Sequence, residues 1–297
     1  MIKLYKKLPL FLQHIILTIK NNQTYYKKFG AIPFINPLKK VIKKLDETNW
    51  ISDNKSLERV NDLLKTATEN VPYYIENKER YKSINTIEEL SNLPILKKEI
   101  FKSRNKDFLS KLSNSSNTYF FKTSGSTGTP LEGGISLKEL NSRFFTFLAS
   151  LKSNNIDYSK RVGRFLGAEI ADEKNIYRKD FINNHFLFSI YHISQNNIQK
   201  YFKALVDNKI EIIEGYPSTI YALVKLFKSN NVVVPNVKNV LTTAEKLLNF
   251  QKEEIEDFFN CTIFDFYGSS EGSAYMFSYG DNYTNANKVG IIEVVDE

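Results

Sequence analysis

The first hundred residues carry their apolar side chains mainly at helical spacing. In the stretch SLERVNDLLKTATEN (residues 56–70) the apolar residues that share one face are Leu57, Val60, Leu63 and Leu64. This pattern predicts a helix with Ser56 as a candidate N-cap. Pro72 disfavours helical geometry in the residue before it, so the helix should end there. We expect residues 1–118 to form a mainly helical N-terminal region.

The segment that opens the chain, MIKLYKKLPLFLQHIILTIK, has the same spacing. Its apolar positions are Leu8, Phe11, Leu12, Ile15, Ile16 and Ile19. Gln13 and His14 interrupt the run, which is too short and too polar to span a bilayer, and no signal-peptide cleavage site follows it. Two interpretations stay open: a docking helix that covers the core, and a helix that lies on a membrane surface.

From about residue 119 the pattern changes to short apolar runs that alternate with helical stretches. The predicted strands are TYFFKT, RVGRFLGAEI, KIEIIEGYPS, NVKNVLTTAE and CTIFDFYGSSEG. The predicted helices between them are SLKELNSRFFTFLASLKSNN, QNNIQKYFKALVDN, TIYALVKLFKSNN and LNFQKEEIEDFFN. Such alternation is typical of βαβ units, so we expect an α/β region over residues 119–297 with a mostly parallel sheet. Together with the helical region it would make one large domain.

Composition narrows the class of protein. An apolar content of 42% with 25% charged residues excludes a disordered chain. The 41 basic and 33 acidic residues give a net charge of +8. Because the lysines are spread along helical stretches, this charge favours a solvated basic surface over a nucleic-acid groove, and no nucleic-acid partner is expected.

Cysteine and histidine usage excludes several kinds of site. The single cysteine, Cys261, rules out an internal disulfide and a multi-cysteine zinc site, and it lies in a strand-like run where a core position is expected. A cytoplasmic protein is the simplest expectation. The three histidines, His14, His185 and His192, lack metal-ligand spacing.

A hydroxyl-rich loop follows the first predicted strand. In TSGSTGTP the hydroxyl residues Thr123, Ser124, Ser126, Thr127 and Thr129 surround Gly125 and Gly128. Glycine frees backbone amides to face an anion, so the loop suits a polyphosphate. It lacks the Gly-Lys-Ser/Thr ending of a Walker A loop and the GxSxG spacing of a serine hydrolase. A flexible Ser/Gly turn is the alternative.

Three further strand ends carry unusual residues: EGYPS, TTAEK and YGSSEG. Ligands of open α/β sheets bind beyond the carboxyl ends of the strands, so we expect the four loops to converge on one site. In YGSSEG the ring of Tyr267 could stack on a base, and Glu271, beyond a turn at Gly268, could hold Mg²⁺. YGSSEG alone is equally well explained as a β-turn with an exposed glutamate, whereas Glu245 and the pair Tyr216–Pro217 are weaker signals that a structural role explains.

In their order along the chain, TSGSTGTPL, EGYPSTIYAL, TTAEKL and YGSSEG resemble the motifs of the adenylate-forming (acyl-CoA synthetase-like) superfamily. The chain is similar in particular to the phenylacetate-CoA ligase family and its CapK-like branch, which is associated with bacterial surface-polysaccharide genes. ENVPYYIEN and LSNLPILKKEIF resemble the helical N-terminal region of that branch. The resemblance implies a ligase that uses ATP and Mg²⁺ to activate a small carboxylic acid as acyl-AMP. An acceptor thiol, such as that of coenzyme A, or an amine then takes the acyl group.

The resemblance also implies roles in nucleotide binding. The loop that would hold the β- and γ-phosphates comprises Thr123, Ser124, Gly125, Ser126, Thr127 and Gly128. Ala244 and Glu245 would border the adenine. Tyr267, with Gly268 after it, would stack on that base.

The catalytic and acyl-binding residues follow from the same resemblance. Ser270 would contact the α-phosphate in place of the usual threonine, and Glu271 would bind Mg²⁺. The acyl pocket would lie near Gly215, Tyr216 and Pro217.

The sequence also departs from the family. Leu131 follows Pro130 where many members carry a lysine, and the chain ends at NKVGIIEVVDE, which resembles a strand in the middle of the family's large domain. No ribose-binding aspartate motif, hinge or small C-terminal lid domain is evident, and YGDN (279–282) is interpreted as a surface turn. We expect nucleotide binding with impaired catalysis unless a partner chain supplies the missing part. The alternative is a non-catalytic nucleotide-binding or scaffold protein of a polysaccharide-assembly system.

Overall fold

The computed structural model describes residues 5–29, 37–47, 51, 55–122, 132–167, 172–269, 272–286 and 289–293. The α-helices within these ranges are α1 (Leu10–Phe29), α2 (Pro37–Lys44), α3 (Ser56–Asn70), α4 (Pro72–Glu76), α5 (Lys98–Ser103), α6 (Leu137–Ser153), α7 (Ile198–Asp207), α8 (Pro217–Ser229) and α9 (Asn249–Phe259). The strands are β1 (Thr118–Lys122), β2 (Glu132–Ser136), β3 (Val162–Phe165), β4 (Tyr177–Asp180), β5 (His185–Phe188), β6 (Ile212–Gly215), β7 (Asn239–Thr243), β8 (Ile263–Gly268), β9 (Tyr275–Tyr279) and β10 (Tyr283–Asn285). Short 3-10 helices lie at Lys78–Arg80, Ile87–Asn92 and Asn105–Phe108.

These residues form two compact units, each built from separate stretches of chain. The first unit draws on residues 1–47, 147–267 and 276–285, and the second on residues 48–146, 268–275 and 286–297. The boundary at residue 118 that the sequence suggested stays a prediction.

An eight-stranded sheet lies mainly in the first unit, in the order β10-β9-β8-β7-β6-β3-β5-β4. The pairs β3–β5, β3–β6, β6–β7 and β7–β8 are parallel, whereas β4–β5 and β9–β10 are antiparallel. All four residues of β6 are buried, as expected for a parallel strand that is covered on both faces. The predicted α/β fold with a mostly parallel sheet is therefore confirmed.

Aromatic residues fill much of the core beside this sheet. Phe165 on β3 stacks on Phe188 of β5, with ring centroids 4.7 Å apart. Tyr201 of α7 is fully buried and donates its hydroxyl to the Ser189 carbonyl at 2.7 Å. Helices α8 and α9 add Ile220, Leu223, Val224, Phe227, Ile255 and Phe259 to the same cluster. These contacts fix the three helices against the strands whose ends carry the predicted site.

Helix α1 docks on the edge strand β4 through polar groups. The Arg178 Nε donates to Gln13 Oε1 at 2.6 Å, and the Lys179 backbone N–H donates to His14 Nδ1 at 3.0 Å. The backbone N–H that follows the strand, at Phe181, donates to the Thr18 hydroxyl. These bonds satisfy backbone donors at the sheet edge, which is otherwise open to pairing with another strand. Within the described ranges, no helix is long and apolar enough to cross a membrane.

The second unit contains short helices and a hairpin. Tyr73 of α4 stacks on Phe108 at 4.4 Å between ring centroids, and this pair joins Leu64 of α3 in a small apolar core. The predicted strand TYFFKT is β1, but it pairs with β2 in a separate two-stranded antiparallel sheet. The hydroxyl-rich loop therefore does not follow a strand of the large parallel sheet, contrary to the sequence expectation.

Several local expectations need correction. Helix α3 begins at Ser56 with Lys55 as its N-cap, and Leu63, predicted on the buried face, is exposed. Val71 is extended ahead of Pro72, as predicted. Cys261 is partly buried and packs against the core, but it precedes β8 and is not part of that strand.

Five strands were not predicted from the sequence. Four of them, β4, β5, β9 and β10, lie toward the two edges of the large sheet, and β2 lies in the two-stranded sheet. The expected turn at YGDN does lie between β9 and β10, where Gly280 adopts a φ of 111°. Residues 289–293 form no strand, so the strand expected in NKVGIIEVVDE is wrong for that part.

Candidate nucleotide site

Three parallel strands, β6, β7 and β8, end side by side. Gly215 pairs with Thr242, and Thr243 pairs with Phe266. The residues that come next are those singled out from the sequence: Tyr216 and Pro217, Ala244 and Glu245, and Tyr267. The structure therefore brings three of the four motifs to one sheet edge.

Eight predicted residues of the nucleotide site belong to two other segments. Residues 123–128 and the pair Ser270 and Glu271 lie outside the described residues. Their roles in phosphate and Mg²⁺ binding stay predictions.

Gly215 allows two strands to approach closely. A Cβ at this position would lie 2.9 Å from Phe165 Cβ and 3.0 Å from the Phe165 carbonyl oxygen. Pro217 then occupies the first turn of α8, where its fixed φ suits a helix start. Tyr216 donates its hydroxyl to the Leu166 carbonyl at 3.3 Å. The motif EGYPS is thus a closely packed junction between the buried strand β6 and the helix α8.

Ala244 and Glu245 tie the end of β7 to that junction. Ala244 has a φ of 66°, in the left-handed region, which turns the chain directly after the strand. Glu245 Oε2 accepts the Ser218 backbone N–H at 3.1 Å. A carboxylate at the first turn of a helix satisfies a free donor and suits the helix dipole. Besides the adenine contact expected from sequence, Glu245 therefore has a structural role.

Tyr267 lies at the end of β8, next to a buried and hydrogen-bonded part of that strand. Its side chain is 58% exposed at the end of β8. Asp265, two residues earlier on the same face of the strand, accepts hydrogen bonds from the hydroxyls of Thr242 and Tyr283. Burial raises the pKa of Asp265 above its ordinary value, and these two hydrogen bonds oppose that rise. The hydrogen bonds to Asp265 therefore fix the end of β8 that carries the exposed Tyr267 ring.

The glycine turn of YGSSEG is not where the sequence suggested. Gly268 lies within β8 without a positive φ, and a Cβ there would approach no atom closer than 3.7 Å. Gly272 instead adopts a φ of 81°, and its Cβ would lie 2.7 Å from Ile135 Cδ1. The glycine that the backbone requires is therefore the one that follows Glu271.

Sequence reasoning missed an ion pair beside this edge. Arg164 on β3 donates to Glu214 on β6 from Nε at 2.8 Å and from Nη2 at 3.2 Å, and Tyr158 donates its hydroxyl to the same carboxylate. Glu214 is 3% exposed. The available signal was a charged residue inside each of two apolar strand runs, since such residues are seldom buried without a partner.

Arg143 was also missed. Its Nη2 donates to the Ser269 carbonyl at 2.9 Å, and its side chain borders Gly272. It therefore contacts the residues on both sides of Ser270 and Glu271. Nothing in the spacing of α6 marked Arg143 for this role.

The described residues contain no group of three or more His, Cys, Asp or Glu side chains that could hold a metal ion. A cavity of about 710 Å³ lies in the second unit and is lined mainly by aromatic and glycine residues, among them Phe101, Phe108, Phe120, Phe121 and Gly133. None of the predicted site residues that the structure describes lines it.

Known proteins resemble this chain in sequence and in structure. No family model matches the chain. The chain is 24% identical over 299 residues to Protein CapK of Staphylococcus aureus, covering 98% of this chain and 63% of that protein. It is 34% identical over 88 residues to indoleacetate--lysine synthetase of Pseudomonas savastanoi, covering 29% of this chain and 22% of that enzyme.

Solved structures of 2-hydroxyisobutyryl-CoA ligase share the fold. An open conformation in complex with 2-HIB-AMP and CoA has a TM-score of 0.56 at 16% identity, over 75% of this chain and 52% of that chain. The complex in the thioesterification state gives 0.56 at 18% identity, over 78% and 53%. The fold is that of the adenylate-forming ligases. This chain spans about half the length of that ligase and 63% of the length of CapK.

Proposed function

We propose that this chain binds ATP at the shared carboxyl edge of β6, β7 and β8 and activates a carboxylic acid as an acyl-adenylate. The observation that carries the proposal is the register of these strands, which places the three motifs on neighbouring strand ends. Parallel sheets bind ligands beyond such ends. The fold shared with 2-hydroxyisobutyryl-CoA ligase, solved with 2-HIB-AMP and CoA, supports the same chemistry.

The described residues fit a purine nucleotide. Tyr267 offers an exposed ring for stacking, and Ala244 offers a small side chain on a left-handed backbone that a flat base can approach. Tyr216, held against the Leu166 carbonyl, would form one wall of the acyl pocket. In the adenylation step, a carboxylate oxygen of the acid would attack the α-phosphorus of ATP and pyrophosphate would leave, which forms acyl-AMP. In the acyl-transfer step, an acceptor would attack the acyl carbon and AMP would leave.

The phosphate and metal contacts of this proposal come from the resemblance. The amides and hydroxyls of residues 123–128 would hold the β- and γ-phosphates, and Ser270 would contact the α-phosphate. Glu271 would supply a carboxylate oxygen, the ligand type that Mg²⁺ prefers. Coenzyme A is proposed as the acceptor because the ligase of like fold was solved with it.

A thermal-shift titration with ATP, AMP and Mg²⁺ tests nucleotide binding directly, because a ligand that binds only the folded state raises Tm with its concentration. Wild-type protein should be stabilised by ATP. Tyr267→Ala should weaken the apparent affinity about tenfold through the lost stacking, while the matched control Tyr267→Phe keeps the ring and should bind normally. Equal ATP binding by Tyr267→Ala and wild type would contradict the assigned site.

Turnover is measured separately, as pyrophosphate released in the presence of ATP, Mg²⁺ and a panel of carboxylic acids. Glu271→Gln should abolish Mg²⁺-dependent release while ATP binding without Mg²⁺ persists.

The similarity to CapK and the resemblance to the CapK-like branch lead us to propose that the acyl product serves surface-polysaccharide synthesis. Nucleotide binding without pyrophosphate release from any acid would favour the non-catalytic scaffold instead.

A further inference from the structure

The side of helix α1 that faces the protein buries Gln13, Leu17 and Thr18, of which only Leu17 is apolar. Gln13, Thr18 and Asn21 make its hydrogen bonds to β4 and the turn after it. The opposite side carries Leu12, Ile16 and Ile19, which are 43%, 42% and 53% exposed and lie at spacings of four and three residues. A surface helix normally buries its apolar stripe against the core. Here the apolar stripe, defined as Leu12, Ile16 and Ile19, faces away from the strand that holds the helix.

The net positive charge of the chain is concentrated in the N-terminal sequence that contains this helix. Ten of the 41 basic residues are lysines that precede Asp46, and no Asp or Glu occurs before that position. The rest of the chain therefore carries 31 basic and 33 acidic residues, so the N-terminal segment accounts for the whole net charge of +8. Within the described part of this segment, Lys7, Lys20, Lys39, Lys43 and Lys44 are exposed. The lysines are less evenly spread than the overall pattern suggested.

We propose that α1 docks the protein on an anionic lipid surface, with the apolar stripe in the headgroup–acyl boundary and the lysines against the lipid phosphates. An interfacial helix needs an apolar face and flanking cations, and binding grows with both. Lys7 and Lys20 stand on either side of the stripe in sequence, and they can reach the headgroups as the stripe inserts. This inference is independent of the nucleotide site.

A second copy of this chain is a poorer occupant for the same face. A symmetric dimer through α1 would bring two segments of like charge together, ten lysines from each chain, with no acidic residue in either segment to offset them. An anionic bilayer instead attracts the lysines while it takes up the apolar side chains.

Flotation of the full 297-residue chain with vesicles tests the proposal. One set contains phosphatidylcholine alone and the other contains phosphatidylcholine with phosphatidylglycerol. The wild-type protein should float with the anionic vesicles, not with the neutral ones, and raised salt should weaken the binding. The stripe variant Leu12→Gln, Ile16→Gln, Ile19→Gln should lower the partition coefficient about tenfold or more. Lys7→Gln and Lys20→Gln should each lower it roughly fivefold.

The matched control changes three exposed apolar residues elsewhere, Leu63→Gln, Ile95→Gln and Val233→Gln, which differs in composition from the stripe variant only in replacing a valine instead of a second isoleucine and should leave flotation unchanged. Circular dichroism and Tm of both triple variants check that the fold is kept. Failure of wild type to float overturns the proposal, as does equal loss in the control variant. Concentration-dependent dimers that the stripe variant abolishes, without vesicle binding, would assign the face to a second copy instead.

Discussion

At the residue scale, positions that the sequence predicted to bind ligands also have structural roles at the ends of strands. Gly215 leaves room on β6 for Phe165 of the paired strand β3, and Glu245 caps helix α8 by accepting the Ser218 backbone N–H. Spacing could predict that these residues lie at strand ends. It could not predict the bond from Ser218 to Glu245 or the pair Arg164–Glu214, because each partner comes from a different element.

Gly215→Ala should destabilise the protein by about 1–3 kcal/mol, because the added methyl meets both the side chain and the carbonyl of Phe165 in a packed interior. Urea unfolding followed by circular dichroism measures the change. Gly268→Ala is the matched control, since its Cβ approaches no atom closer than 3.7 Å and little stability should be lost. Equal losses in the two variants would show that packing at Gly215 is not the cause.

At the element scale, four of the five strands that the sequence predicted, β3, β6, β7 and β8, are buried parallel strands, whose apolar runs stand out against polar helices. The fifth, β1, lies in the antiparallel two-stranded sheet. The missed strand β2, EGGIS, has two glycines and a single large apolar residue. The missed strands β4, β5, β9 and β10 are short and lie toward the edges of the large sheet, and β4 and β10 carry mostly polar or charged residues. Their pairing is set by neighbours distant in sequence: Arg178 on β4 is fully buried only because α1 and the Asp172 carboxylate meet it. A local pattern does not contain that information.

The junction between α1 and β4 should respond to pH. Burial, with the charges of Arg178 and Lys179, lowers the pKa of His14 below its ordinary value of 6.5, and its neutral Nδ1 accepts the Lys179 N–H. The unfolded chain therefore binds a proton at a higher pH than the folded chain does. This stabilisation is fully present above about pH 6.5 and is lost as the pH falls toward the folded-state pKa.

Unfolding by urea at pH 7.5 and pH 5.5 checks this sign. The stability advantage of wild type over His14→Gln should shrink at the lower pH. Thr18→Val removes the neighbouring bond to Phe181 without removing a titrating group, so its cost should be the same at both pH values. An advantage of wild type that grows toward acid pH would contradict the assignment.

At the scale of the whole molecule, the sequence predicted the α/β class and the fold shared with adenylate-forming ligases, because four ordered motifs restrict the fold far more than one does. It did not predict that the strand before the hydroxyl-rich loop belongs to a separate two-stranded sheet. Sheet membership depends on which strands pair, and TYFFKT has the same local pattern in either sheet. The expectation of one convergent site thus rests on three motifs at the edge of the large sheet.

The central claim is that ATP binds where β6, β7 and β8 end, and amide hydrogen exchange with and without saturating ATP tests it most directly. We predict slower exchange in three segments together, residues 214–218, 243–246 and 265–267, with no change along β4, at the far edge of the sheet. ATP binding that leaves these three segments unprotected would contradict the account.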